Sequence, residues 1–510
     1  MSVARTWGVA LTGLHGALVE IEADLSNQLP EFRVIGLPDK ALGEAQLRVR
    51  NATANCGMPL PARRLTVNLS PAALPKQGSG FDLGIAVAAL ATAMPLDRAS
   101  IEETVHIGEL GLDGRLRPVA GVLPAVMAAA RGGRRRVVVP HANRDEAALV
   151  TGIDVHGAVS LIDVMRLHGS EVEERAMVPV GAAAVPPGGS GEAAELADVV
   201  GQRDAVEGLV VAAAGGHHVL MSGPPGAGKT MLAARLPGIL PPLADDQALE
   251  AAAVRSLAGE PITRLSRTPP FEAPHHGASA AALVGGGSRV VRPGAIARAS
   301  GGVLFLDEAA EFAPSVLDAL RQPLEKGSIT IHRAGASATF PARFQLVLAT
   351  NPCPCGNYGV RGASCGCPPQ AIRRYLGRLS GPLLDRVDIE VQMTRVSVAH
   401  ASQDEGGRLS TAAARAQVAE ARARAARRLE STPWRLNAEV SGPWLRQGPL
   451  ALPASVRRPL DVALARGALT LRGYDRVLRL AWSVADVAGI DAPGLAEIGR
   501  ALFLKKGITT

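Results

Sequence analysis

The residues best able to do chemistry gather at a few points along the chain. Gly223-Pro224-Pro225-Gly226-Ala227-Gly228-Lys229-Thr230 follows the spacing G-x-x-x-x-G-K-[ST]. Glycines at this spacing let a backbone curl until its amides face phosphate oxygens, and a helix opening at Lys229 adds its positive end. Lys229 is the candidate to reach the outer phosphates, and Thr230 to ligate Mg²⁺. Val303 to Leu306 is an apolar run that ends in Asp307 and Glu308. Asp307 is the second candidate for Mg²⁺, through its water shell, and Glu308 the candidate general base for an attacking water. A third apolar run, Val347 to Thr350, ends at Asn351, whose amide could orient that water against a γ-phosphate. ATP and Mg²⁺ are the cofactors this set calls for.

Four of the five cysteines form a second group: Cys353, Cys355, Cys365 and Cys367, two C-x-C pairs nine residues apart. Four thiolates about 2.3 Å from Zn²⁺ would make a closed structural site. The spacing is tighter than the usual C-x₂-C knuckle, so free thiols stay open as the alternative. The first pair begins two residues after Asn351, so a metal there would fix a loop beside the γ-phosphate sensor.

These groups need strand tips that meet. Val219 to Met221, Val303 to Leu306 and Phe344 to Ala349 read as buried strands, and the helical stretches between them predict a parallel sheet flanked by helices. That α/β region spans about 192–393. Before it, residues 1–170 mix short strands (Leu65 to Leu69, Val137 to Val139) with helices (Phe81 to Met94, Val122 to Arg131) and read as α+β. Residues 171–191, rich in Ala, Pro and Gly near the end, read as a flexible linker. Residues 394–510 read as helical. Ser410 or Thr411 caps a long Ala/Arg-rich helix ending near Leu429, and Pro453 to Arg466 and Tyr474 to Val487 follow. Lys326 to Arg343 holds two alternating stretches around a Gly-bearing turn and reads as a hairpin.

The chain of 510 residues is too long for one core. With 47% hydrophobic and 20% charged residues its composition is globular. A net charge of +7 permits contact with nucleic acid without requiring it. No signal-peptide pattern opens the chain, and no run reaches the ~18–20 apolar residues of a membrane helix. A cytoplasmic location with no membrane partner is the expectation.

The core resembles the magnesium-chelatase group of AAA+ ATPases, with Asp198-Val199-Val200-Gly201-Gln202 similar to that group's adenine-side entry. Nearly the whole chain resembles the ComM/YifB family of magnesium-chelatase-like proteins. The matching stretches are 36–40, 75–83, Ala273 to His276, Asn351 to Cys355 and Tyr375 to Arg386. The resemblance implies an AAA+ P-loop core, an N-terminal Lon-protease-like domain on the ribosomal-S5-like fold, and a C-terminal helical lid. It also implies a homo-oligomeric ring, most simply a hexamer, in which Arg386 of one subunit enters the next subunit's ATP site; a surface salt bridge is the plain alternative for Arg386. Arg472, with Arg476 close behind, is the candidate to sense the γ-phosphate within its own subunit.

Family members act as DNA helicases that drive branch migration, so single-stranded or branched DNA, bound largely without sequence preference, is the expected partner. The hairpin at 326–343, with His332 and Arg333, is the candidate DNA contact; a buried sheet extension is the alternative. His275-His276 lies in an insertion, Ala273 to Arg298, that reads as a pore or subunit-contact loop. In the N-terminal region the Lon-like signature is altered around Ser79, and Val119 to Ala125 carries no lysine. A serine without a base is a poor nucleophile at neutral pH, so no peptidase activity is expected. Lys40, Arg48, Arg50, Arg63 and Arg64 could guide DNA or simply be solvated. An ATP-driven DNA motor is the leading reading. An ATPase subunit of metal insertion into a porphyrin, a Lon-type protease and a non-catalytic scaffold are the alternatives.

Overall fold

Alternating apolar and polar residues build one sheet, and unbroken apolar runs build another. A computed structural model of the chain describes residues 3–36, 40–74, 76, 78–181, 194–287, 291–333, 336–360, 362–396 and 408–506. Ala4–Thr12 (β1) and His15–Ser26 (β2) alternate in burial and pair antiparallel, from Ala4 opposite Ala23 to Thr12 opposite His15. Glu31–Ile35 (β3), Arg64–Ser70 (β4), Thr104–His106 (β5), Arg136–Pro140 (β6) and Asp154–Ala158 (β7) complete a mixed seven-stranded sheet. Its order is β3-β4-β2-β1-β5-β6-β7. Asp82–Ala91 (α1) and Val122–Arg131 (α2) pack on this sheet, and α1 is buried along its whole length.

The second sheet is parallel throughout. Its strands are Val219–Ser222 (β8), Phe271–Glu272 (β9), Val303–Leu306 (β10), Gln345–Thr350 (β13) and Ile389–Gln392 (β14), in the order β9-β10-β13-β8-β14. Between β10 and β13, Ser328–Arg333 (β11) and Ala336–Pro341 (β12) form a separate hairpin. Every residue of β10 and β13 is buried, as central strands covered on both faces require. Parallel order brings the C-terminal ends of β8, β10 and β13 to one edge, where ligands of such sheets bind. Lys229–Ala233 (α3) leaves that edge, and Asp245–Ala258 (α4) runs toward the first sheet, where it packs on α2.

After residue 408 the described chain is helical: Thr411–Arg428 (α5), Ala454–Ala465 (α6), Leu471–Ala488 (α7) and Leu495–Lys506 (α8) are its longer helices. Ser410 caps α5 by accepting from Ala413 N at 3.1 Å. The fourth helix, α8, was not singled out by the sequence pattern. Val418, Trp482 and Leu504 share one core with Val219 and Val347 of the parallel sheet.

The expected linker is partly anchored. Val172 and Met177 pack on the first sheet's core. Its Pro/Gly-rich part falls in residues 182–193, outside the described residues. The two regions also touch through elements outside the parallel sheet. Gly121 N donates to Ser256 O at 3.1 Å. Gly13, at φ +62, abuts the hairpin so closely that an added Cβ would meet Thr339 O at 2.8 Å. The hairpin is therefore neither free nor a sheet extension. Ile329, Ile331, Ala338 and Phe340 are buried on one face. His332, Ser337 and Thr339 lie exposed on the other. The side chain of Arg333 and the turn beyond it lie outside the described residues.

Candidate active site at the sheet edge

Strand register assembles the site. Ser222 pairs with Thr350, and Leu306 pairs with Leu348, so the segments after β8, β10 and β13 start side by side. Gly223 N donates to Thr350 O at 3.2 Å, fixing the start of the Gly-rich loop to β13. The loop then turns through Gly226 and Gly228, at φ +77 and +87, values a side chain would resist. Gly228 caps α3, leaving the first amides of the helix to the loop's interior.

Within that loop Lys229 Nζ donates to Gly223 O at 2.7 Å, Pro224 O at 3.0 Å and Asn351 Oδ1 at 3.0 Å. Burial lowers its pKa, while the charges of Asp307 and Glu308 pull the other way. Thr230 Oγ1 donates to Asp307 Oδ2 at 2.5 Å. A hydroxyl and a carboxylate thus face each other as hard oxygen donors, a set that suits Mg²⁺. Gln202 Nε2 donates to Ala227 O and Thr394 O, tying the loop to the chain beyond β14. Lys229, Thr230, Asp307, Glu308 and Asn351 are therefore brought together.

Glu308 has a partner that sequence reading missed. The short strand β9 pairs parallel with β10, Glu272 opposite Leu304, and carries the chain past the strand ends. There His276 Nδ1 lies 3.1 Å from Glu308 Oε2. The two histidine ring centroids lie 4.0 Å apart with the planes tilted by 35°, and His275 Nδ1 accepts from Gly277 N at 3.0 Å, which shapes the turn. Glu308 is thus remote from the histidine pair in sequence and adjacent to it in space.

The arginines sit elsewhere. Asp388 N bonds His218 O, so the residues before β14 lie at the opposite end of the sheet from the Gly-rich loop. Arg386, in that segment, pairs with Glu325. Arg472 is 74% exposed and lies 3.6 Å from Asp385, and Arg476 bonds Val387 O at 2.6 Å. Burial, then the charges of Arg476, Arg472 and Arg321, lowers the pKa of Arg386. Arg472 thus joins Arg386 in a basic cluster and lies away from its own subunit's loop. Sensing in its own subunit is not what this placement offers, because α7 docks on the far end of the sheet.

The four cysteine sulfurs of 353, 355, 365 and 367 lie within 4.8 Å of one another. Cys353 and Cys355 are separated by 3.4 Å, and each is 3.7 Å from Cys365. Those edges are near the ~3.8 Å of a tetrahedron with 2.3 Å Zn–S bonds, and far beyond a disulfide.

In the N-terminal region Ser79 donates to Glu109, while Lys76 is buried with its Nζ on Pro71 O and Leu74 O. No lysine meets the serine among the described residues. Arg48 is engaged by buried Asp82 at 2.6 Å, and Arg64 by Glu31. The side chain of Lys40 lies outside the described residues. Among the described residues no helix is long and apolar enough to cross a membrane.

Comparison with known proteins accords with this geometry. The family "Magnesium chelatase, subunit ChlI" matches residues 195–401, its C-terminal family matches 408–505, and "Subunit ChlI of Mg-chelatase" matches 21–143. An uncharacterized Mycobacterium tuberculosis protein is 50% identical over 99% of both chains. Competence protein ComM of Haemophilus influenzae is 42% identical over 98% of this chain and 97% of its own. The uncharacterized YifB of Escherichia coli is 39% identical over 96% and 94%. Lon protease of Mycolicibacterium smegmatis is 29% identical over 31% of this chain and 21% of its own. On these matches the chain belongs to the ComM/YifB family of magnesium-chelatase-like AAA+ ATPases.

Proposed function

We propose that this chain is an ATP-driven ring motor that acts on single-stranded or branched DNA, as a helicase or branch-migration factor in recombination or transformation. The observation that carries the reading is the meeting of Lys229, Thr230, Asp307, Glu308 and Asn351 at three adjacent strand tips. It is joined by a hairpin whose polar face carries His332. Kinship with a competence protein supports the DNA context.

In this mechanism the loop amides and Lys229 hold the β- and γ-phosphates of ATP. Thr230 and Asp307 hold Mg²⁺, which when bound neutralises phosphate charge. Asn351 orients a water, and Glu308 accepts its proton as the water oxygen attacks the γ-phosphorus and the bond to the β-phosphate oxygen breaks, releasing ADP and inorganic phosphate. Lys229 Nζ, which donates to Gly223 O and Pro224 O, exchanges these carbonyls for phosphate oxygens. Arg386 and Arg472, at the opposite end of the sheet, serve the neighbouring subunit's ATP across a ring interface, with a hexamer as the ring. The four cysteines hold a structural Zn²⁺. The N-terminal domain assembles the ring or guides DNA. A peptidase role has against it the pairing of Ser79 with an acid and the engagement of Lys76 by carbonyls.

The magnesium-chelatase profiles keep one second reading in view, an ATPase partner of metal insertion into a porphyrin. ATPase rates with and without forked or single-stranded DNA, followed by strand displacement, separate the two. Stimulation and unwinding are expected. ATPase indifferent to either DNA, yet responsive to a porphyrin-binding partner, would replace the motor with the insertion reading.

A further inference from the structure

The cysteine cluster lies against the phosphate-binding loop. We infer that the four-thiolate zinc centre braces the Gly-rich loop, so that zinc occupancy and nucleotide affinity are coupled. This inference rests on the zinc reading above and adds a function to it.

Residues 353–367 contain no helix or strand among those described, and Cys353 and Gly356 are the buried ones. Tyr358, the segment's largest apolar body, is 54% exposed. A stretch with so little apolar burial cannot order itself on hydrophobic contacts. Three of its sulfurs nevertheless lie 3.4–3.7 Å apart, near the edge of a thiolate tetrahedron, with all four within 4.8 Å of one another, and Tyr358 N donates to Cys353 Sγ at 3.3 Å. Metal binding is the term that orders such a segment, because its free energy becomes folding free energy.

Three contacts then join the ordered segment to the loop. The amide of Gly223 bonds Thr350 O at the root of the segment. Asn351 accepts from Lys229 Nζ at 3.0 Å. Gly356, at φ +78, sits so close to Pro225 that an added Cβ would lie 2.4 Å from its Cδ. The turn between the two cysteine pairs therefore rests on the ring of a loop proline, with no room for a side chain. A loop held in its phosphate-receiving shape loses less freedom on binding than a loose one. The coupling must also run in reverse, since linkage between two ligands is reciprocal.

The test uses the full-length chain. Zinc content is measured first, then the rate at which a chromogenic zinc chelator strips the metal with and without ADP. ADP affinity is measured before stripping, after it, and after zinc is restored. We expect about one zinc per chain, slower stripping with ADP, and an ADP Kd that rises about three- to ten-fold without zinc and recovers on its return. A chain purified from zinc-replete medium without zinc would overturn the metal reading itself. A chain that holds zinc, yet releases it at one rate in both conditions and binds ADP equally well after stripping, would overturn the brace alone. Gly356→Ala keeps all four thiolates and breaks the seat on Pro225. It should retain zinc and bind ADP more weakly; zinc retention with unchanged ADP affinity would also overturn the brace.

Discussion

Glu308 stands on a backbone that residues with a Cβ avoid: at φ 50° it is the one non-glycine residue at positive φ among those described. Strain of this kind costs ~1–3 kcal/mol and persists where the surroundings demand it. Here the demand is to turn the chain sharply after β10 so that the carboxylate leaves the sheet edge. Replacing it by Gln should leave nucleotide bound and lower turnover by about 10²–10⁴, the usual span for a lost general base. Lys229→Ala should instead lose nucleotide binding, which fluorescent-ADP titration would detect. His276 sits at 37% exposure beside a carboxylate that is 49% exposed, so their pairing is screened and modest. A carboxylate oxygen held by an imidazole is less free to take a proton from water. His276→Ala should therefore raise the basal ATPase kcat about three- to five-fold with KM little changed. His276→Gln, which keeps an N–H donor, should stay near the parent rate. A drop in kcat for His276→Ala would mean that the histidine assists the base.

At the scale of elements, hydrogen bonds inside the N-terminal sheet set a pH limit. Ser100 Oγ lies 2.9 Å from His168 Nδ1, the two Nε2 atoms of His168 and His106 are 2.9 Å apart, and His106 Nδ1 is 2.7 Å from Thr6 Oγ1. Thr6 in turn donates to Thr104 O, so the chain from Ser100 to Thr104 closes with one proton per link and both rings neutral. Burial, then the charge of Arg136, lowers His168 to about 4; burial, then His168, holds His106 well below its ordinary value. The folded form thus binds fewer protons than the unfolded one. Stability is full above the unfolded value of about 6.5 and falls as pH drops toward 4, by on the order of 2 kcal/mol for one such histidine. Thermal midpoints measured from pH 7.5 to 4.5 should fall, and His168→Gln should flatten the decline.

Some elements could be read directly from the sequence and others could not. Strands β8, β10 and β13 were legible because each is an unbroken apolar run ending in a chemical residue. Strand β9 has two residues, Phe271 and Glu272, too few to show a period, so the approach of His276 to Glu308 stayed hidden. The hairpin's strands were legible, but its seat on Gly13 depends on a meeting of two regions more than 300 residues apart that no local pattern encodes. The helix bearing Arg472 was also legible, while the end of the sheet it docks on was not. That choice is made by tertiary pairs such as Arg476 with Asp388. Burial pushes Asp388 up, but His217 and Arg476 outweigh it and hold the carboxyl well below its usual range, as a charged anchor.

At the scale of the whole molecule, the position of the arginines turns the question of assembly into a measurable one. The segment 385–388 leads into β14 and lies level with His218, below the start of β8. The Gly-rich loop leaves the other end of β8, so Arg386 and Arg472 cannot meet their own loop without breaking the sheet. A second copy can present its loop to them, which is a head-to-tail contact of the kind that closes into rings. Arg386→Ala alone should bind ATP and turn over about 10³-fold more slowly, since an inserted arginine stabilises charge on the transferring phosphoryl group. Glu308→Gln alone should be slow for a different reason, because it lacks the base while keeping the arginine. Mixed in equal amounts before assembly, the two dead variants should rescue each other. A site works when its own chain carries Glu308 and its neighbour carries Arg386, which random mixing supplies at about a quarter of sites in a head-to-tail ring. Arg472→Ala mixed with Glu308→Gln should regain activity in the same way if it too reaches across. If the arginines acted within their own chain, every site in the mixture would lack either base or arginine, and ATPase would stay at the level of the separate variants. Recovery near a quarter of the parent rate, lost on dilution below the assembly concentration, is the outcome expected of arginines that act on a neighbour's site.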